Sequence, residues 1–595
     1  MMKKSIFLLA VFLSLNFLSV NAQTTSETVN APVNQPQTTE NKSYNIISSS
    51  KYRINSVDPT PQNNPAGAYY PGLRGGNQLI IYTPAYGERT GTNEFGTEAI
   101  VVNGVVTELT GSDSPIHKDG FVISGHGNAK NWINKAVTEG AVIKIDPAAN
   151  TIESIITSES LTFKAKQKID NVCQTINEYK QANRHYKDTV ARDYLDKAMQ
   201  KLSEACLYIT NKQYDNAKKT AEEAGKLADN ALYNVIPSKK GEFHGIWLRP
   251  IEKNREEIVK TLDRLKETGI TNIFLETYVQ GYTIFPSKTL ESYGVISQKK
   301  EFQGWDPLKV WIDETHKKKM KIHVWFQTFY VGNENISKNP KHILSIHPDW
   351  ANVQKRYYTA RKPMPSISEH NGYFLDPANP DVQKYLSDLI TEIVTNYKID
   401  GLNIDYIRYP ASLQSNFPLY VESTWGYSAY ARNEFCKLHG VDPASLTRDD
   451  PLWQNWVAYR QNKVTDFVSK LKSLTAGKKI KISTVIFPRL PDTSVIKLQS
   501  WGVWGVNKYV DAFTPLIMGN DELIVKNYVD EMKTTVNNNV LIYTGLFEPF
   551  TDGSPVDLLY QIKTARENGA SGIIIFDYAH LNDEFVNALK TNVFK

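Results

Sequence analysis

Asp405 is the residue of this sequence whose type and position most clearly suit it to a chemical reaction. An apolar, strand-like run leads into Asp405, and the alternation then gives way to Tyr406 and Arg408. An ionised carboxylate at the end of a buried strand is costly unless it has a partner or a task. We therefore predict that Asp405 is catalytic. The competing interpretation is a structural role, in which it caps the next helix or pairs with Arg408.

Other strand-like segments of the C-terminal half also end in carboxylates, basic groups and aromatic rings. Two carboxyl groups, one acting as an acid and the other as a nucleophile or base, can cleave a glycosidic bond, while aromatic rings hold the sugars. The candidate catalytic residues are Asp405, Glu276, Glu548 and Asp577. The candidate substrate-binding residues are Trp247, Arg249, Tyr278, His323, Trp325, Asn403, Arg408 and Tyr409.

Each of these assignments has a plain structural alternative. Glu276 and Glu548 compete for the role of the second carboxylate, and either could instead form an ion pair with Arg249 or Arg408. Asp577, at the end of the last predicted strand, could simply N-cap the last helix. His323, inside a predicted strand, could be a hydrogen-bonded core residue.

Strand and helix signals alternate eight times in the C-terminal part of the chain. Eight such repeats over about 350 residues match the size and order of a (β/α)8 barrel, in which catalytic groups lie at the carboxyl ends of the strands. An open doubly wound sheet would need fewer strands and usually a glycine-rich phosphate loop, which the sequence lacks. The predicted strands are His244–Arg249, Asn272–Tyr278, Lys321–Phe329, Gly401–Tyr409, Ile480–Phe487, Ala512–Met518, Val540–Phe547 and Gly572–Tyr578.

The N-terminal end of the chain predicts export. Residues 1–22 have the basic start, the apolar run and the small-residue cleavage pattern of a secretory signal peptide. Residues 23–45 are rich in Thr, Asn, Gln and Pro, and this composition is typical of a disordered linker. We therefore expect a secreted or periplasmic protein.

Two further units precede the barrel. Residues 46–160 predict a small β-rich domain, in which Asn103-Gly104 lies between two apolar runs and indicates a hairpin. Residues 161–235 follow helical spacing and predict a helical hairpin or three-helix spacer. The predicted fold class is thus α/β, with a C-terminal (β/α)8 barrel at 236–595. We expect that barrel to fold without the N-terminal part, whereas the helical unit could dock as a lid on one rim.

Composition narrows the range of partners. The formal charge of +5 falls to +3 when the signal peptide and its two lysines are removed (5 − 2 = 3), which is too small to favour nucleic acid or an anionic membrane. No later stretch is long and apolar enough for a membrane span. We expect no cofactor and no metal, because His and acidic residues show no ligand spacing. The expected partner is a polysaccharide or oligosaccharide.

Five motifs in the barrel region resemble the glycosyl hydrolase-like family 10 domain, formerly domain of unknown function 187. The resemblance implies a (β/α)8 barrel related to α-glycosidase clans, bacterial export and, in some members, cleavage of cell-wall glycan strands stripped of peptides. It places Asp405 at the strand-four carboxylate position. This chain departs from the family in having Glu276 where a Gln or other polar residue is common, and Tyr406 where a second Asp is common. The motifs are Gly245-Ile246-Trp247-Leu248-Arg249, Tyr282-Thr283-Ile284-Phe285-Pro286-Ser287, His323-Val324-Trp325-Phe326, Leu375-Asp376-Pro377-Ala378-Asn379-Pro380 and the segment 399–410.

The β-rich region carries a second, weaker resemblance. The stretches 89–98 and 120–127 are similar to a divergent phosphodiester-glycosidase-type β domain. Taken together, the residues predict a secreted glycoside hydrolase with bacterial cell-wall glycan as the favoured substrate. The alternative is a non-catalytic carbohydrate-binding protein that uses the barrel as a scaffold and needs no second carboxylate near Asp405.

Overall fold

The computed structural model describes residues 45–59, 77–92, 96–111, 113–182, 184, 186–360, 362–412, 421–519, 522–547 and 554–595. The predicted signal peptide and nearly all of the predicted linker lie outside these residues. Within them, no helix is long and apolar enough to cross a membrane.

An eight-stranded sheet forms the N-terminal unit, in the order β1-β8-β7-β5-β4-β6-β3-β2. The predicted hairpin joins β4 and β5, where Asn103 and Gly104 both have positive φ angles (51° and 76°), as a two-residue hairpin turn requires. One helix, α1, packs on the sheet. The elements are β1 (Ile46–Arg53), β2 (Ser56–Val57), β3 (Leu79–Tyr82), β4 (Thr97–Val102), β5 (Val105–Thr110), β6 (Gly120–Gly125), α1 (Asn128–Ala136), β7 (Val142–Asp146) and β8 (Thr151–Thr157). The likeness of this sheet to phosphodiester glycosidases stays a prediction.

Three antiparallel helices follow the sheet, in agreement with the helical spacing of the sequence. They are α2 (Ser160–Gln181), α3 (Asp188–Thr210) and α4 (Tyr214–Val235). A row of alanines on α4 lets the backbones of α3 and α4 approach closely, and these two helices make the most extensive helix–helix contact of the described chain.

Eight parallel strands close into a barrel, as predicted. Each strand pairs with the next, and the last strand, β17, pairs with the first, β9. The short strand β11 adds antiparallel to β10 outside the barrel. The strands are β9 (Phe243–Leu248), β10 (Asn272–Val279), β11 (Tyr282–Thr283), β12 (Lys321–Gln327), β13 (Gly401–Asp405), β14 (Lys481–Ile486), β15 (Ala512–Ile517), β16 (Leu541–Phe547) and β17 (Gly572–Phe576).

Helices surround the barrel, and their ends follow local sequence signals. For example, the Asn254 side chain accepts a hydrogen bond from the backbone N–H of Glu257 at the start of α5, and that helix stops at the left-handed Gly269. The helices are α5 (Arg255–Thr268), α6 (Lys288–Ser292), α7 (Pro307–Lys317), α8 (Ile343–Ile346), α9 (Pro380–Asn396), α10 (Ala429–His439), α11 (Trp453–Leu474), α12 (Leu490–Ile496), α13 (Trp501–Val506), α14 (Glu522–Thr535), α15 (Pro555–Glu567) and α16 (Asp583–Ala588).

The helices α2–α4 share one hydrophobic core with the barrel, which corrects the expectation of an independent spacer or rim lid. Ile176 and Leu232 belong to the same buried cluster as the barrel strands and helices. Polar contacts reinforce this packing: Arg184 pairs with Glu567 of α15 at 2.5 Å. The three helices therefore lie against the outer wall of the barrel, because their amphipathic faces need an apolar partner that the short N-terminal sheet does not supply.

A truncation can test this shared core. We expect a chain beginning at residue 236 to melt non-cooperatively, or at least about 5 °C lower than a chain beginning at residue 160, because it exposes apolar side chains worth about 1.5–3 kcal/mol each. Thermal unfolding followed by circular dichroism at 222 nm measures the difference. Equal melting temperatures for the two chains would show that the barrel needs no helical cover.

Candidate functional site

Asp405 is the last residue of β13, at the carboxyl end of the barrel. Its Oδ2 accepts a hydrogen bond from Trp325 Nε1 at 2.9 Å, and its Oδ1 accepts one from the backbone N–H of Tyr406 at 2.6 Å. Burial raises the pKa of Asp405, while the hydrogen bonds and the charges of Arg408 and Arg249 oppose that rise. Asp405 is partly exposed, so its carboxylate is held in place and still reaches the rim.

The chain turns sharply immediately after Asp405. Tyr406 has a φ of 47°, in the left-handed region that a bulky residue rarely adopts. Its ring stacks on Tyr330 at 4.6 Å between centroids. This turn ends β13 four residues earlier than predicted, because it takes the backbone off the line of the strand.

Glu276 lies on β10, two strands away from Asp405 in the barrel wall. Its side chain is buried, and its Oε1 accepts a hydrogen bond from Gln327 Nε2 at 2.8 Å. Burial raises the pKa of Glu276 to about 7, against the opposing charges of Arg249 and Lys299; the negative charge of Asp405 adds to the rise. Near neutral pH, Glu276 therefore keeps its proton in a substantial fraction of molecules.

Arg249 joins two of the predicted carboxylates. Its Nη1 donates to Asp577 Oδ2, and its Nε lies 3.7 Å from Glu276 Oε1. The guanidinium lies over the Trp325 ring, 5.2 Å from the centroid. Asp577 is buried, and its other oxygen lies 2.6 Å from His580 Nδ1, so both of its oxygens already have partners.

The predicted residues Trp247, Trp325 and Asn403 form the layer beneath this cluster. Trp247 Nε1 donates to Asn403 Oδ1 at 3.3 Å, and the amide of Asn403 donates to Ser483 and Thr514 across the barrel interior. Trp247 and Asn403 are buried, so they support the site from below. Trp325 is also buried, but its indole N–H reaches Asp405.

Two of the predicted substrate-binding residues do not face the rim. Tyr278 is fully buried, and its hydroxyl lies 3.2 Å from that of Tyr385 on α9, because a bulge between Glu276 and Tyr278 interrupts the strand alternation. His323 lies near the amino end of β12, stacked on Phe274, where burial lowers its pKa to about 4. Both expectations of substrate contact are therefore corrected.

The segment after Asp405 also differs from the prediction. Arg408 is buried and forms a bidentate ion pair with Glu369, with N–O distances of 2.7 and 3.1 Å. Tyr409 is fully buried, and its backbone N–H donates to the carbonyl of Lys497. Neither offers a free surface to a sugar, since the turn at Tyr406 folds the segment into the protein. The fourth candidate carboxylate, Glu548, lies outside the described residues.

Three residues near the site were not predicted from the sequence. Gln327 ends β12 and donates a hydrogen bond to Glu276, and its place near the end of a predicted strand was a usable signal. Glu369 and Lys497 lie in connecting segments, and nothing in their local sequence indicates that they meet Arg408. Only the path of the chain brings them together.

The raised pKa of Glu276 also predicts a pH-dependent stability. A carboxyl whose pKa is higher folded than unfolded contributes stability that is present below its unfolded pKa and is lost as the pH rises through about 7. Glu276→Gln removes this loss. We therefore expect the free energy of unfolding of the variant to exceed that of the wild type by up to about 3 kcal/mol at pH 8, and to equal it at about pH 4.5. Urea unfolding at several pH values measures this. A difference independent of pH would contradict it.

The arrangement therefore combines a carboxyl that keeps its proton in a substantial fraction of molecules near neutral pH, in the carboxyl-terminal half of β10, with a hydrogen-bonded carboxylate at the end of β13. Neighbouring strands are about 4.8 Å apart, so the backbones of these two strands lie about 10 Å apart across β12. That spacing leaves room for a glycosidic bond between the two side chains, with one group giving a proton and the other facing the developing positive charge.

The known families and structures that this chain resembles match it mainly in the barrel region. The family described as Glycosyl hydrolase-like 10 matches residues 238–549, which include strands β9 to β16. The glycoside hydrolase domain of PgaB (BpsB) from Bordetella bronchiseptica superposes with a TM-score of 0.45 and 14% identity, over 60% of this chain and 99% of that domain.

Two curated relatives match shorter parts. Glycosyl hydrolase DigH of Escherichia coli K12 is 28% identical over 170 residues, covering 27% of this chain and 35% of DigH. Glycosyl hydrolase YngK of Bacillus subtilis 168 is 24% identical over 211 residues, covering 34% of this chain and 36% of YngK. The matches thus span about a third of the length of each relative.

Proposed function

Since this chain belongs to the glycosyl hydrolase-like 10 family, we propose that it is a glycoside hydrolase whose reaction takes place between Glu276 and Asp405. The observation that carries this proposal is the pairing of the two carboxyl groups at the carboxyl ends of the barrel strands. A buried carboxyl with a pKa near 7, raised further by the charge of a second carboxylate, is the arrangement that acid–base cleavage of a glycosidic bond needs.

Glu276 acts as the general acid in this proposal. Its pKa of about 7 lets it carry a proton at neutral pH and release it to the leaving oxygen. Gln327 fixes Oε1, whereas Oε2 accepts no hydrogen bond from the described residues and can face the substrate. Arg249, anchored by Asp577, lies close enough to stabilise the carboxylate that remains after proton transfer.

Asp405 acts on the sugar side of the bond. Its negative charge stabilises the oxocarbenium-like transition state, as nucleophile or as base toward water. The hydrogen bonds from Trp325 and from the backbone of Tyr406 hold both oxygens in one orientation before the substrate arrives, so little reorganisation is needed.

The favoured substrate is bacterial cell-wall glycan, met outside the cytoplasm after removal of the N-terminal signal. The family resemblance and the signal-like sequence of residues 1–22 support this choice. The test is incubation of the purified protein with peptidoglycan glycan strands stripped of peptides, beside a panel of α- and β-glucans, with new reducing ends and product masses as the readout. New reducing ends from the stripped strands are expected.

The control separates cleavage from binding. The Asp405→Asn variant should release no reducing ends above background but should still bind the strands in a co-sedimentation assay. A wild-type protein that binds the strands yet cleaves neither them nor any glucan would identify a carbohydrate-binding protein and overturn the proposed activity.

A further inference from the structure

Strand β12 lies between β10 and β13 in the barrel wall and supplies a hydrogen-bond donor to each of the two carboxyl groups. Trp325, which pairs in register with Glu276 of β10, donates to Asp405 on the other side. Gln327, which pairs in register with Asp405 of β13, donates to Glu276. The two donors therefore cross, and each carboxyl group is held from the strand between them.

The orientation of the Gln327 amide is determined by a backbone group. Its Oε1 accepts a hydrogen bond from the backbone N–H of Gln280 at 3.0 Å, and its Nε2 lies 2.8 Å from Glu276 Oε1. A backbone N–H can bond only to the amide oxygen, so the amide nitrogen has to face Glu276. Turning the amide over would leave the N–H of Gln280 unpaired where Gln327 is buried, and that arrangement is costly.

Gln280 lies in a tight hairpin turn that fixes the direction of its N–H. The turn connects β10 to β11, where Val279 pairs with Tyr282. Its two central residues, Gln280 and Gly281, have φ angles of 54° and 87°, and a type I′ turn requires positive φ at both positions. The amide of Gln327 is therefore oriented by the backbone before any substrate binds.

The donors near the Glu276 carboxyl group lie at one of its two oxygens. Gln327 Nε2 and Arg249 Nε are 2.8 and 3.7 Å from Oε1, whereas Oε2 accepts no hydrogen bond from the described residues. The carbonyl oxygen of a neutral carboxyl group is its stronger acceptor, so Oε1 is the carbonyl oxygen and the proton belongs on Oε2. Besides burial, which raises the pKa of Glu276, the charges of Arg249 and Lys299 lower it and the charge of Asp405 raises it.

We propose that Gln327 is a positioning residue for the cleavage reaction: it keeps the proton of Glu276 on Oε2 and stabilises the carboxylate formed when that proton leaves. This deepens the proposed function and rests on it. As the glycosidic C–O bond breaks, the leaving oxygen keeps its electron pair and takes the proton from Oε2, and the negative charge left on Glu276 faces the N–H of Gln327. A donor that is oriented in advance needs no reorganisation as this charge develops.

Direct titration of Glu276 tests this role without relying on catalysis. Carbon-13 NMR of the protein labelled at the glutamate carboxyl carbon follows the titration, and the Glu276→Gln spectrum assigns the resonance. Gln327→Met keeps the length of the side chain but removes both hydrogen bonds, so the pKa of Glu276 should rise by at least about one pH unit. Gln327→Glu keeps an acceptor for Gln280 but sets a second carboxyl group against Glu276, so it should raise this pKa as well.

The pH–activity profile on peptide-stripped glycan strands is the second readout. In Gln327→Met the alkaline limb should move to higher pH together with the pKa of Glu276. At about pH 6, kcat should fall about three- to tenfold, because a weaker acid gives up its proton less readily. KM should change by less than about twofold, since Gln327 acts through Glu276. A purely structural defect would lower the melting temperature and leave the limb where it is.

Gln174→Met is the matched control. Gln174 is an exposed residue of α2 that donates to Glu178 at 3.0 Å, so the same substitution removes a Gln–Glu hydrogen bond outside the site. The titration of Glu276 and the pH–activity profile should both stay as in the wild type.

The outcomes separate this inference from the proposed function. Unchanged titration of Glu276 in Gln327→Met and Gln327→Glu would overturn the inference even if the wild type is active, and Gln327→Glu alone decides if Gln327→Met does not fold. A hydrogen found on Oε1 by neutron diffraction, at a pH below the pKa of Glu276, would also overturn it. A wild type that cleaves no glycan, together with the expected shifts in titration, would overturn the proposed function while the control of Glu276 by Gln327 stands.

Discussion

The Asp405→Asn variant is expected to lose at least about 10³-fold in kcat on peptide-stripped glycan strands while folding like the wild type. The substitution keeps the volume and most of the hydrogen bonding of the side chain but removes the negative charge that stabilises the oxocarbenium-like transition state. Since Asp405 Oδ2 accepts from Trp325 and Oδ1 from a backbone N–H, an amide in the same place loses one of these bonds as well.

Steady-state kinetics and thermal unfolding measure the two parts of this prediction. Asp313→Asn, an exposed aspartate on α7 that pairs with Lys309, is the matched control and should retain wild-type kcat. If the Asp405→Asn enzyme turned over substrate nearly as fast as the wild type, Asp405 would not be catalytic and the active site would not lie at the end of β13. A variant that no longer unfolds cooperatively would point to a structural carboxylate.

The Glu276→Gln variant is expected to lose about 10²- to 10⁴-fold in kcat on natural glycan, the usual contribution of a general acid. The loss should shrink to less than about tenfold on aryl glycosides with good leaving groups, because these need little protonation. The wild-type pH–activity profile should fall above pH 7, following the pKa of about 7 of Glu276, and the variant should lack that limb.

Activity on both substrate types across the pH range from 5 to 9 tests this assignment. Glu267→Gln, an exposed glutamate that pairs with Lys590, is the matched control and should behave like the wild type. Equal losses on natural and activated substrates would mean that Glu276 is not the acid. The Asp577→Asn variant should lose the same factor in kcat on natural and activated substrates. Asp577 pairs with Arg249 and His580 and does not protonate the leaving group.

The barrel itself was readable from the sequence. Each of its eight strands is a short apolar run that is followed by an amphipathic helical segment, and few folds other than a (β/α)8 barrel have this order of elements. The observed strands differ from the predicted ones mainly at their carboxyl ends, as at Asp405, where β13 stops at the turn of Tyr406. Strand ends are decided by where the backbone leaves the sheet, and local composition reports that only weakly.

The relation between the helices α2–α4 and the barrel needed the tertiary structure. Their helical period was evident, but periodicity states only that one face is apolar and does not say what covers it. The cluster that includes Ile176 and Leu232 shows that the barrel wall is the cover. The change from helical to alternating pattern near residue 236 therefore does not divide the protein into two separate hydrophobic cores.

The sequence alone indicated that Glu276, Asp405 and Asp577 lie in or directly after the carboxyl-terminal halves of barrel strands, and hence on the side of the barrel where catalytic groups lie. Which of the neighbouring side chains face that rim was decided by the tertiary structure: a bulge turns Tyr278 outward, and His323 lies at the opposite end of its strand. The meeting of Arg408, Glu369 and Lys497 is likewise invisible in the sequence. The physical reason is that an ion pair depends on distance in space, and these residues come from three separate loops, whereas strand ends follow from a pattern along the chain.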